Sequence, residues 1–421
     1  MSLEPRRGSL LVIFLTVLID LLGFGIVLPL LPIYAAQFEP HPTGIQLGAL
    51  MASFSAMQFL FAPLWGRISD RIGRRPVIMV GLFASLICYL LFGWATVRKS
   101  LVLLFVSRIG AGMAGATIST AQAYIADTTS VEGRAKGMAL VGMAFGIGFT
   151  FGPLLGYLAV PDGQSDPGPM PGVMAAVLSG VAFVLAWFLL PESLNPESDQ
   201  RPRRLFDLQA IRSATALPSI GSLVLAVFVS VFAFSMFEPT LGLLVKGETD
   251  PPVFEFSFRQ VCLTFAYVGF VLAIVQGGVV RRVAGRVAEG HLAAGGAAAE
   301  VLGFAGLAVA ADQGSIAWLF ASLTVLVSGF AFITPSLNGL ISRRTDPRNQ
   351  GSILGLAQSA SALARILGPA IGIPMLMAMP KLPLFVGAAT MAVGCTLIVI
   401  AASKGHDFED ASEGEASSIS P

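Results

Sequence analysis

A handful of ionisable side chains lie where the surrounding sequence offers nothing polar to receive them. Asp20 falls about midway along an apolar run that has no other charge between Arg7 and Glu39. A carboxylate at that depth is costly unless it is protonated, paired or turned toward water. An acid so placed trades a proton as its surroundings change, so Asp20 is read as a proton carrier; a permanent ion pair or the cap of a broken helix is the competing reading. Gly23, Gly25, Pro29 and Pro32 follow in the same run and would let the helix kink around a cavity. Arg108 and Arg365 also lie inside apolar segments. A guanidinium keeps its charge at accessible pH, so each needs an acid, a substrate anion, backbone carbonyls or water. Arg108 is expected to pair with Asp20, and Glu238, followed by Pro239, with Arg365. A proton arriving at either acid would release its arginine and so bias a conformational equilibrium. Glu300 is either deep or interfacial and has no assigned role.

The densest charge cluster is Gly66-Arg67-Ile68-Ser69-Asp70-Arg71-Ile72-Gly73-Arg74-Arg75-Pro76. Asp70 follows the C-terminal end of an apolar segment, where the helix dipole disfavours an anion, and Asp127 has the same problem later in the chain. Both should seek a cation, with Arg71, Arg74 and Arg134 available, while Gly66 and Gly73 permit a tight turn. Gly148, Gly152 and Gly156 recur every four residues on one helix face, so a neighbouring helix can approach closely, and Pro153 bends the backbone beside them. Gly110-Ala-Gly112-Met-Ala-Gly115 matches a dinucleotide-binding glycine pattern, with Glu132 at a suitable distance. It lies inside one continuous apolar helix rather than at a strand-to-helix turn, so helix packing is the better account. Cys88, Cys262 and Cys395 are isolated in apolar segments, and His41, His291 and His406 are scattered; neither metal-ligand spacing nor a disulfide framework appears.

The elements that must position these groups follow from composition. With 55% hydrophobic residues, 12% charged residues and a mean hydropathy of +0.78, the chain cannot cover a soluble globule with polar surface. A span takes about 20 apolar residues, and about twelve such segments can be placed between residues 10 and 402. The fold class expected is all-α integral membrane. Gly152-Pro153-Leu154-Leu155-Gly156 recurs as Gly368-Pro369-Ala370-Ile371-Gly372, which sets segment five against segment eleven and segment one against segment seven. The organisation expected is a six-helix bundle over residues 1–190, a cytoplasmic linker over 191–218 with a short surface helix near 206–211, a second bundle over 219–403, and a disordered tail over 404–421. About 19 Lys and Arg fall in loops and termini of one side against about 5 on the other, so both termini are placed in the cytoplasm. The first apolar run lacks a small-residue cleavage site and is kept as the first span.

Here the motifs reach a family. Gly66-x-x-x-Asp70-Arg71-x-Gly73-Arg74-Arg75 resembles the signature between helices two and three of the major facilitator superfamily. Arg108-Ile-Gly-Ala-Gly112 resembles its helix-four motif. Gly148-x-x-x-Gly152-Pro153-x-x-Gly156 resembles the helix-five motif of its proton-driven exporters. Asp20-Leu-Leu-Gly-Phe-Gly-Ile-Val-Leu-Pro29 and Ala123-Tyr-Ile-Ala-Asp127 are similar to the tetracycline-exporter type within its 12-helix drug/proton antiporters. The resemblance implies two pseudo-symmetric six-helix bundles of the major facilitator fold. It also implies a cytoplasmic gate of Gly66, Asp70, Arg71, Gly73, Arg74 and Asp127, in which Asp70, Arg74 and Asp127 form a latch between the halves, and a close inter-half contact at the helix-five glycines. Two departures weaken it: Tyr157 stands where a second glycine is usual, and Arg281 or Arg282 stands in the second half where the first has Asp70.

The function expected is secondary transport by alternating access, with protons exchanged for a small amphipathic, drug- or tetracycline-like compound. A nucleotide-binding loop and a sizeable extramembrane domain are both lacking in the sequence, so the proton gradient is the expected driving force and no cofactor is called for. Gln58, Gln122, Tyr124, Gln276, Asn338 and Gln358 are the candidate polar contacts of the substrate cavity. The partners expected are the small-molecule substrate, protons and the lipid of the inner (cytoplasmic) membrane, with the chain a monomer. Nucleic acid is not expected, because no basic, aromatic-interleaved domain stands outside the membrane. A sugar or metabolite transporter on the same fold is the alternative, and a non-transporting receptor a remote one. An enzyme is not expected, since no His, Cys or Ser constellation is clustered.

Overall fold

The structure, a computed structural model, describes residues 7–38, 41–129, 134–161, 166–194, 218–283, 285–345 and 350–404. Most of the expected linker, its short surface helix and nearly all of the tail lie outside the described residues. Twelve helices are long and apolar enough to cross a membrane: α1 (Leu10–Ala36), α2 (Gly44–Ile72), α3 (Arg74–Arg98), α4 (Leu101–Thr128), α5 (Leu140–Ala159), α6 (Met170–Leu189), α7 (Ser219–Lys246), α8 (Phe258–Val283), α9 (Glu289–Gln313), α10 (Ile316–Arg343), α11 (Ile353–Ala378) and α12 (Leu382–Ser403). In hydrocarbon every backbone polar group needs an internal partner, which a helix supplies along its own length.

The starts of several helices carry local signals. Thr43 and Gln46 form a capping box at the head of α2, each side chain satisfying the other's backbone N–H. Ser100 and Ser315 accept from Leu103 N and Trp318 N at the heads of α4 and α10. Three helices are irregular within the membrane. Helix α1 breaks at Leu28–Leu30, around Pro29. Helix α4 breaks at Ala116–Thr117. In α8 the turn Val275–Val280 widens to a π-helix over Gln276, Gly277 and Gly278.

By contacts the chain divides into two compact units. The first comprises Met1–Arg203, Pro239–Phe270 and Pro369–Met377. Within it α1 packs along α5 and α6, α3 along α4 and α6, and α2 along α4. Its core gathers Ile13, Val17, Leu82, Ile125, Val141 and their neighbours. The α1–α5 crossing is set by glycine: a Cβ on Gly152 would fall 2.6 Å from the Gly25 Cα. Segments late in the chain join this unit through similar close approaches, Gly48 lying against Pro369 and Ala370 and Gly269 against Phe149 and Thr150. At the same end Gln37 Nε2 donates to Glu248 Oε1 at 2.8 Å, and Arg259 donates from Nε to Val160 O at 3.0 Å while lying over the Tyr157 ring.

The second unit comprises Arg204–Glu238, Val271–Gly368 and Ala378–Pro421. There α9 packs on α10 and α12, with Gly296 against Gly329 and Gly303 against Leu326. Arg344 donates to the last-turn carbonyls of α12, from Nη1 to Ala401 O at 2.6 Å and from Nη2 to Ala402 O at 3.0 Å, a favourable place for a cation. The internal repeat has a packing counterpart. Gly152 of α5 sits against Gly25 of α1, and Gly368 of α11 sits against Ser235 and Met236 of α7, the helix that corresponds to α1.

Adding one methyl group at such a crossing forces the helices apart. Gly152→Ala is expected to cost about 1–3 kcal/mol of stability through overpacking, read as a lower melting temperature in detergent. Gly142→Ala, where an added Cβ meets open space, should instead be neutral or stabilising by about 0.5–1 kcal/mol.

Candidate functional site

Two sets of charged groups in the first unit bear on function, one at the ends of helices α2 to α4 and one within the bundle. At the helix ends, Gly73 adopts φ +107, a conformation that costs a glycine little, and so lets α2 turn directly into α3. Gly66, expected to share that turn, lies inside helix α2 with open space about it. The turn delivers Arg74, which is 7% exposed, into a cluster of acceptors. Its Nη1 lies 2.5 Å from Asp70 Oδ1 and donates to Ser69 Oγ at 2.7 Å, and its Nε donates to Asp127 Oδ2 at 3.0 Å. One rigid fork thus holds the ends of α2 and α4 to the start of α3. Arg71 is exposed and makes none of these contacts.

Glu192, just past α6, completes the cluster and was not singled out from the sequence. Its Oε1 accepts from Arg74 N at 2.8 Å and its Oε2 from Arg75 N at 3.1 Å, which places an anion on the unsatisfied N–H groups at the head of α3. Ser193 Oγ reaches Asp127 Oδ2 at 3.4 Å. Helix α6 is therefore tied into the same network. All of these residues belong to the first unit, so the described latch fastens α2, α3, α4 and α6 to one another.

Within the bundle, Asp20 is joined to Ser179 of α6, whose Oγ donates to Oδ1 at 2.9 Å, with Ser85 of α3 beside it. Asp20 also borders a cavity of about 20 Å³ with Thr16 and Thr117. The expected ion pair with Arg108 is not formed. Arg108, 2% exposed, lies 4.5 Å above the Phe54 ring and 5.8 Å from that of Phe24. The two phenyl rings are themselves 4.9 Å apart, and Phe149 meets Phe24 edge-on. Aromatic faces stabilise a desolvated guanidinium, and it is over these rings that the cation lies.

In the second unit Glu238 of α7 and Arg365 of α11 lie within electrostatic reach of each other but form no close ion pair among the described residues. Glu300 is fully enclosed in α9 against Gly329 of α10, and neither carboxyl oxygen has a hydrogen-bond partner among the described residues. Its depth, left open by the sequence, is that of a buried group.

The polar cavity candidates divide between the two units. Gln58 donates to Gly115 O at 3.2 Å and so pins α2 to the break in α4, aided by Trp65 Nε1 on Met113 O at 2.8 Å. Tyr124 is 0% exposed in the first unit's core. Gln122 is exposed on α4; Gln276 in the π turn, Asn338 and Gln358 belong to the second unit. Gly148 and Gly152 meet α1, Gly156 lies near Ile26 and Cys262, and Pro153 is inside the α5 helix. Among the described residues, no group of three or more His, Cys, Asp or Glu could hold a metal ion.

The sequence profile of the Major Facilitator Superfamily matches residues 13–369. The tetracycline resistance protein, class C, of Escherichia coli is 32% identical over 372 residues, covering 87% of this chain and 89% of that protein. The Homo sapiens major facilitator superfamily domain-containing protein 10 is 30% identical over 414 residues, with 87% of each chain covered. The crystal structure of the human organic anion transporter MFSD10 superposes with a TM-score of 0.68 at 26% identity, covering 94% of this chain and all of that one.

The latch depends on the arginine fork. Arg74→Ala, which leaves two carboxylates without their cation, is expected to lower stability by about 1–3 kcal/mol. Arg74→Lys should recover only part of that loss, because an ammonium cannot reproduce the planar fork. Thermal denaturation in nanodiscs measures both.

Proposed function

The chain belongs to the major facilitator superfamily, and from that premise we propose that it is a secondary exporter exchanging protons for a small amphipathic organic compound by alternating access. It is a multi-pass membrane transporter and not an enzyme. The observation that carries the finer reading is Asp20. It is a carboxyl group in the middle of a spanning helix, held by a serine hydroxyl rather than by a cation. A neutral partner serves either protonation state, accepting from the acid or donating to the carboxylate, so the site can gain and lose a proton without leaving a stranded arginine. The small cavity bordered by Asp20, Thr16 and Thr117 is large enough for one water to bring that proton.

The relatives support the substrate class. Proteins of similar length and about 30% identity are named for tetracycline resistance, and one is an organic anion transporter. In this reading the proton gradient is the energy source, no resident cofactor takes part, the protein works as a monomer, and both termini face the cytoplasm of a cell whose inner membrane it spans, as the loop arginines favour.

Asp20→Asn keeps a polar partner for Ser179 but cannot titrate. In proteoliposomes with an imposed pH gradient and radiolabelled tetracycline or 2-naphthoate inside or outside, the variant is expected to lose gradient-driven accumulation at least tenfold. Downhill equilibration should persist, and the elution profile of the folded protein should not change. Accumulation equal to wild type would remove Asp20 from the coupling.

A further inference from the structure

We propose that Arg108, with Phe24 and Phe54, is a receptor for the anionic group of an aromatic organic anion, so that the exported compound carries a negative charge beside a ring. The inference rests on the transporter reading above and deepens it.

The first support is the cation's lack of a counter-charge. Arg108 stands inside a spanning helix and cannot shed its proton. Its ionisable neighbours Tyr89 and Cys88 are ordinarily uncharged, and among the described residues no carboxylate forms an ion pair with it. Asp20, the acid nearest in expectation, is engaged by Ser179. Two phenyl rings at 4.5 and 5.8 Å offset part of the desolvation cost. Removing an ion from water costs more than such contacts return. A permanent positive potential is left over.

The second support is how the guanidinium is presented. The side chain is fully buried, its Nε has no hydrogen-bond partner, and among the described residues no acceptor is hydrogen-bonded to its terminal nitrogens. A planar fork with free donors is the geometry that binds a carboxylate or sulfonate through two parallel bonds. Its neighbours are suited to the rest of such a molecule. Phe24, Phe54 and Phe149 form a run of ring contacts at 4.9 and 6.0 Å, and Phe145 extends it against Phe149 at 6.4 Å. Phe24 and Phe54 are only partly buried, so an entering ring can take the place of one of them over the guanidinium. Gln58, which lies in the same helix as Phe54 one turn further on, anchors that side of the site to the Gly115 carbonyl.

A matched series tests the charge requirement: 2-naphthoate, neutral 2-naphthamide and cationic 2-naphthylmethylammonium, titrated by calorimetry onto the full chain in nanodiscs without any gradient. Wild type is expected to bind naphthoate at least tenfold more tightly than the amide, and the cation more weakly still. Arg108→Gln should reduce the naphthoate-to-amide ratio to near one, and Arg108→Lys should keep a ratio above threefold. Phe54→Leu, which leaves the charge in place, should weaken naphthoate and naphthamide alike by threefold or more without changing their ratio. Wild type that binds naphthoate no better than the amide, or Arg108→Gln that keeps the wild-type ratio, overturns the proposal. If Arg108→Gln does not fold, the Phe54→Leu affinities decide it: a threefold or greater loss for both ligands upholds the site, and unchanged affinities overturn it. Because no gradient is applied, these outcomes are independent of proton coupling. Anion preference lost with Asp20-dependent accumulation intact defeats this site alone, and anion binding without accumulation defeats the exchange reading alone.

Discussion

A bilayer interior cannot solvate charge, so every ionised group inside it must be answered by the protein or by what the protein binds. In the first unit two such groups lie in neighbouring helices and do not answer each other. Asp20 is answered by the Ser179 hydroxyl, and Arg108 by the faces of Phe24 and Phe54. Separation keeps both groups responsive. A fused Asp–Arg pair would be electrically silent, whereas an acid on a hydroxyl and a cation on aromatic rings each retain a capacity for one more partner.

At the helix ends the same constraint is met differently, because water is near and full pairing is available. Arg74 is shared among Ser69, Asp70 and Asp127, while Glu192 occupies the head of α3. The result is a cluster in which four helices are fixed by one side chain and one carboxylate. Between these two charge sets the packing is glycine-mediated, with Gly25 against Gly152 in the first unit and Gly368 against Ser235 in the second. Small residues let backbones touch where lipid supplies no hydrophobic drive between helices.

Much of this was legible from residues. Run length and composition located the spans, since hydrocarbon thickness dictates both. The four-residue glycine period on α5 pointed to close packing, and charges at helix ends showed that Asp70 and Asp127 need a cation, while the choice of Arg74 over Arg71 and Arg134 came from the family resemblance. Contacts between distant segments were not legible. Ser179 lies 159 positions from Asp20, in an apolar run where a serine attracts no notice, and its role depends on which face of α6 meets α1. Phenylalanines at 24 and 54 resemble any lipid-facing ring until a guanidinium is found over them. Glu192 was assigned to a linker because its composition suits one, and only the geometry of the Gly73 turn brings it to α3. Glycine misled once, at Gly66, where the helix continues for six more residues before turning.

The widened turn at Val275–Val280 has an effect on the phase of α8. It behaves as one residue beyond what a regular helix would hold, and one residue corresponds to about 100° of rotation. Side chains beyond it, Arg281 and Arg282 included, therefore point about a quarter-turn away from the heading that the helix would otherwise have carried through. A shorter chain at Gln276, Gly277 or Gly278 would regularise the backbone yet re-aim everything downstream, so the bulge records where the second half sets the compass bearing of its basic loop.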